Sequence, residues 1–154
     1  MTVRRLRAAG WGLAVVLACC LAAPGLRADL QAARGEKDLG KRSRLALDNA
    51  ALALQAARLA YQQGDLEASK AACSEIRESV ELAYQSLADM HRNPRNSPHW
   101  FKSAEVATRD LLRRLDTFGR DMGYEDRPML EPVQQSVQQV HDKLLLGLME
   151  GKLK

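Results

Sequence analysis

The residues of this chain best suited to chemistry are three histidines, three cysteines and one adjacent aromatic pair. His91 and His99 flank Asn93-Pro94-Arg95-Asn96. Such a run stops one helix before the next begins and can bring the two imidazoles together. Two imidazoles without a placed carboxylate leave a zinc-type or other transition-metal site incomplete. His141 sits near the middle of its own helix, about ten residues or roughly 15 Å from that end, too far to complete the set. No Glu-x-x-His pair points to a di-iron centre. The expectation is therefore no cofactor and no metal, with His91 and His99 the candidate ligands if a metal does bind.

Cys73 falls on a regular apolar seam, where a cysteine serves as a small buried hydrophobe, and no neighbour is suited to lowering its pKa. There is no C-x-x-C-H for covalent haem attachment. Serine-hydrolase, P-loop and dinucleotide-binding patterns are missing as well. The carboxylates share helix faces with Arg and Lys, the pattern of a solvated surface rather than of a catalytic pair. These absences argue against an enzyme.

The aromatic pair lies in SPHWFKSAEVATRDLLRRL. Neighbours on a helix point about 100° apart, so Trp100 and Phe101 cannot both face one core. Trp100 fits the apolar stripe. Phe101 is expected at the bundle's end or outside it, between His99 and Lys102. Exposed aromatics beside arginine are favoured contact anchors between proteins. Trp100, Phe101, Arg109 and Arg113 are accordingly the expected partner-binding residues. The competing expectation has Trp100 capping the core and Phe101 covering the 92–97 loop.

The elements that position these residues begin after an export segment. Arg4, Arg5 and Arg7 precede an apolar run from Trp11 to Ala23, too short to span a bilayer comfortably. Pro24 and Gly25 break the run, and Ala28 offers a small residue for cleavage before Asp29. Residues 1–28 therefore read as a secretory signal peptide, the expected destination being periplasmic or extracellular. An uncleaved anchor, or lipidation at Cys19, is the alternative. Removing Arg4, Arg5, Arg7 and Arg27 turns 23 basic against 19 acidic residues into 19 against 19. The basicity of the whole chain, pI ≈ 9.1, thus belongs to the export segment. What remains gives no electrostatic case for nucleic acid. It also has a single cysteine and no transmembrane segment.

Residues 29–42 carry Gly35, Gly40, mixed charges and little apolar periodicity, and read as a flexible tether, disordered or transiently helical. From 43 to 154 the periodicity is helical throughout. The first helix is expected from Ser43, its N-cap, to Gln63. Leu45, Leu52 and Leu59 repeat every seven residues, as do Leu47, Leu54 and Tyr61, which makes the helix apolar on two sides. Gly64 suits a left-handed C-cap and Asp65 the next N-cap. In the second helix Cys73, Ile76, Val80, Ala83, Leu87 and Met90 are spaced 3, 4, 3, 4, 3, an a/d seam. The third opens on Ser97-Pro98, and its stripe runs through Trp100, Ala104, Ala107, Leu111, Leu115, Phe118 and Met122. Its other face places Glu105, Asp110 and Asp116 four residues ahead of Arg109, Arg114 and Arg120. The fourth should become regular near Pro132, with Leu130, Val133, Val137, Val140, Leu144 and Leu148 inward.

Tyr61, Gly64 and Ala68 resemble the turn of a tetratricopeptide hairpin, a resemblance covering about eight residues. The pattern does not recur at the second hairpin, so no repeat array is implied. The run from Gly64 through Glu81-Leu82-Ala83-Tyr84-Gln85 is similar to the last helix of periplasmic four-helix cytochromes b. That family's step of Ala-Tyr-His supplies an axial histidine, and Gln85 stands in its place here, so the haem ligand is missing. The fold expected is all-α, an antiparallel up-down four-helix bundle over 43–154 behind a signal peptide and tether. The function expected is a non-enzymatic binding or structural module of the cell envelope or extracellular space, with an unnamed protein partner. A periplasmic carrier or sensor of a metal or small ligand, using the core or the His91/His99 end, is the alternative.

Overall fold

A computed structural model of the protein describes residues 30–153. The expected signal peptide, with Cys19, lies outside them. The described residues form helices α1 (Leu30–Gly35), α2 (Leu39–Gln62), α3 (Leu66–Asp89), α4 (Pro98–Asp121) and α5 (Glu131–Glu150), with a 3₁₀ turn at Arg127–Met129 and no strand. The four long helices pack together around one core, and no helix among the described residues is long and apolar enough to cross a membrane.

The expected tether is helical and packed. Leu30 and Ala33, three residues apart, present one apolar face that is buried where α1 meets α2 and α3. Arg34 fastens it to Glu78 at 3.1 Å. Asp38, not Ser43, caps α2, its carboxylate accepting the Lys41 amide at 2.9 Å. Ser43 is buried within the helix. Gly40, read as a source of flexibility, serves a close approach instead: a Cβ there would lie 2.5 Å from the Trp100 indole. Gly40→Ala should therefore push the indole off α2. In a chain with Trp11 replaced by Phe, the Trp100 emission should shift to the red and stability should fall by about 1–3 kcal/mol. An unchanged spectrum would place the indole elsewhere.

The interface of α2 with α3 is the most extensive of the fold. Ala46, Ala50, Ala53 and Ala57 are fully buried and leave α3 room to come close. The polar groups trapped there are satisfied: the Asn49 amide donates to Ser79 and Glu75, and the Ser69 hydroxyl donates to the Ala57 carbonyl at 3.0 Å. Only one of the two leucine series of α2 finds the core. Leu47 and Leu54 are buried, whereas Leu45 and Leu59 are 41% and 56% exposed.

The turn into α3 forms as expected. Gly64 has φ +78°, where a side chain would be strained, and Asp65 accepts the Ala68 amide at 2.9 Å. Tyr61 of the hairpin resemblance has a local task. Its ring packs edge-on against Phe118, while its hydroxyl accepts the Gly123 amide and donates to Asp126, both at 2.9 Å. The turn thereby fastens the α4–α5 connection and closes that end of the core.

Along α3, Cys73, Ile76, Val80, Ala83 and Leu87 are all buried, so the expected seam is the core face, with Met90 packed at its end. On α5, Val133, Val137, Val140 and Leu144 are buried. The helix becomes regular at Glu131, next to Pro132, after the 3₁₀ turn. The two hairpins, α2/α3 and α4/α5, meet through α2 against α4 and α3 against α5, while the consecutive pair α3 and α4 touch little. Trp100 at the start of α4 lies on the start of α2, and Asp121 at its end is 2.7 Å from Arg58 near the end of α2.

Candidate functional site

The residues around the α4 N-terminus come together on the surface at one end of the bundle. Pro94 is buried in the loop leading there, and the Asn93 side chain accepts the Arg95 amide at 2.8 Å. The loop thus delivers Ser97 and Pro98 in a fixed position. Ser97 precedes the helix without a side-chain capping bond, and Pro98, which has no amide hydrogen, occupies its first position. An open groove of about 680 Å³ lies beside them. Arg92, Pro98, His99, Trp100, Lys102 and Val106 make most of its wall. The His99 and Trp100 rings meet edge to face at 4.9 Å. Val106 is 44% exposed at the groove's edge and also borders the next concavity, with Arg109, Asp110 and Arg113. Val106 thus joins the two concavities, the second of which includes an acid, Asp110.

The charges on this surface are not equivalent. Arg109 is 3.7 Å from Glu105, and Arg113 is hydrogen-bonded to Asp110. Arg92 and Lys102 pair with no carboxylate among the described residues. The groove wall itself includes no acid. Chemically, it can receive an anionic group next to an apolar or aromatic one.

Four residues were expected on this surface, and three are there. Trp100 is half-buried, its indole lying between Gly40 and the groove, and Arg109 and Arg113 are exposed. Phe101 is not: its exposure is 0%, and it fills the core. The expected division between the two aromatics is reversed. The angular offset separates the rings as argued, but Gly40 gives the larger indole a berth at the edge of α2, leaving Phe101 to point inward. Thr108, seven residues on and fully buried, continues the same inward line.

His91 and His99 are both exposed. His91 has φ 50°, just past the end of α3. No group of three or more His, Cys, Asp or Glu residues suited to a metal occurs among the described residues. His141 has a relation that spacing did not disclose. Its Nδ1 is 3.3 Å from the Thr108 hydroxyl and 4.0 Å from Glu105, between α4 and α5. Glu105 and Thr108 stand three apart on one face of α4, which was the available hint; pairing Glu105 with Arg109 as surface charges obscured it. The hydroxyl lies within bonding distance of the Ala104 and Glu105 carbonyls, which engage its proton. With Thr108 fully buried, this cluster ties helices together and offers no nucleophile.

Cys73 is 3% exposed, and burial pushes its thiol from the ordinary 9.0 up to about 11. A thiol held protonated this far above neutrality is a poor nucleophile. The folded chain keeps a proton that the unfolded chain loses near pH 9, so stability should fall as pH rises between about 9 and 11. The loss should reach about 2–3 kcal/mol at the top of that range. Tyr84, raised by burial and then by Glu81, acts in the same sense above pH 10. Urea unfolding across this range should show a shallower fall in Cys73→Ala than in the parent; parallel profiles would contradict the assignment.

No model of a known protein family matches the chain, and no curated protein matches it.

Proposed function

We propose that this chain is an exported, non-enzymatic helical bundle that binds another protein through the outer face of the first half of α4. The carrying observation is the groove beside Trp100. There a half-buried indole and exposed Val106 adjoin Arg92 and Lys102, which have no acidic partner among the described residues. Export rests on the sequence of residues 1–28, with its basic start, short apolar run and small residue before Asp29. An up-down course through the four long helices accounts for the side-by-side starts of α2 and α4. It gives the recognition face a rigid support, which limits the ordering cost of binding.

The reading is tested by capture from an envelope or secreted fraction, using the parent protein, an Arg92→Glu/Lys102→Glu variant, and Gln55→Glu on the exposed outer side of α2. Reversing the groove charges should reduce capture roughly tenfold or more, because both a favourable and a like-charge term change. Gln55→Glu should capture like the parent. Equal capture by all three, with unchanged circular dichroism, would remove the groove from the account.

A further inference from the structure

The far end of α4 carries a feature complementary to the groove. Tyr124 is 85% exposed, the most exposed large hydrophobic side chain among the described residues. It sits in Gly123-Tyr124-Glu125-Asp126, a turn closed by the Asp126 amide donating to the Gly123 carbonyl at 3.1 Å. The Tyr61 hydroxyl holds both ends of that turn through Gly123 and Asp126. Tyr124 and Glu125 are thus displayed at the tip of a fastened turn, where little conformational freedom remains to be lost on binding. Asp121, Glu125, Asp126 and Glu131 make this end acidic, with Arg127 the one cation between them. Of these acids, Asp121 pairs with Arg58 and Asp126 with Tyr61, while Glu125 has no partner among the described residues.

We propose that the groove's occupant is the Tyr124 turn of a second copy of this chain. This rests on the reading of the groove given above and names the partner of that site. The phenol ring enters beside the Trp100 indole, and Glu125 meets Arg92 and Lys102. Charge complementarity carries the choice: a wall with cations and no acid faces a turn with unpaired acid and an aromatic key. The concavity favours a projecting side chain over a lipid surface, since the indole forms the groove's wall against Gly40 rather than protruding from it. Groove and turn lie at opposite ends of a 24-residue helix, roughly 36 Å apart at the helical rise. One copy cannot satisfy both, so the contact is head-to-tail and generates open chains or closed rings rather than a two-fold dimer.

The test is sedimentation of the purified exported chain at rising concentration up to about 1 mM, where even a weak specific contact is populated. The average mass should rise with concentration and fall back in high salt, as expected for exposed charges. Two variants break the two halves separately: Arg92→Glu/Lys102→Glu in the groove, and Tyr124→Ser/Glu125→Gln in the turn. Each alone should stay monomeric with unchanged circular dichroism. Mixed, they should form a heterodimer and nothing longer, because the first keeps its turn and the second keeps its groove. A parent that remains monomeric, variants that still associate, or a mixture that does not pair would each overturn the proposal. If the parent is monomeric but the groove still captures another protein, self-pairing falls and the groove reading stands.

Discussion

Phe101→Ala destabilises the domain by about 3–5 kcal/mol, the usual cost of emptying a buried aromatic site. The ring is completely enclosed at the start of α4, in the core shared with Leu87 and Leu144. No small movement of a 24-residue helix fastened at both ends can fill the space. Trp100→Ala, next to it, should cost clearly less, because the indole is only half-buried and one side already faces the groove. The two variants also divide by function: Trp100→Ala should lose capture while remaining folded. Urea unfolding followed by circular dichroism checks the order. If Phe101→Ala unfolds like the parent, its ring is not in the core and the reversal of the two aromatics is wrong.

Leu87→Ala is expected to cost about 2–5 kcal/mol, and Ile76→Ala a similar amount, because each leaves a cavity among packed side chains. Both residues lie on the α3 seam at 1% and 0% exposure. Glu81→Ala should change stability by less than about 0.5 kcal/mol, as a surface substitution does. Its carboxylate is exposed and accepts the Gln85 amide one turn on. The comparison separates the seam from helix propensity, since all three changes introduce the same residue. If Leu87→Ala and Glu81→Ala melt alike, the face is not a core face.

The α3 seam was legible because its residues are apolar in strict alternation of three and four, and a helix packed on one side needs nothing more. The Gly64-Asp65 turn and the loose start of α5 were legible for the same reason: each depends on a local backbone preference carried by the residue itself. The rest depends on contacts between distant segments. Whether Gly40 is a hinge or a seat is decided by Trp100, sixty residues away in the chain. Leu45 and Leu59 have the heptad spacing of core residues and are exposed, because periodicity marks a face without stating that a neighbour covers it. The α1 turn carries too few apolar residues to show a period, yet Leu30 and Ala33 are enough to dock it. At the candidate site, the sequence located the segment and two of its arginines. It could not assign the aromatic pair, nor bring Arg92 across the loop to Lys102, since neither follows from spacing within one helix.

The central claim, that the outer face of the first half of α4 is where this protein meets its partner, is tested most directly by site-specific photo-crosslinking in the exporting cell. A photoreactive side chain replaces Val106 in one strain and Gln55, on the exposed outer side of α2, in another. The account predicts a discrete crosslinked protein from position 106, either a different chain or a second copy of this one, weakened when Arg92 and Lys102 are reversed to Glu. It predicts no such adduct from position 55. An adduct from position 55 with none from 106 would contradict it.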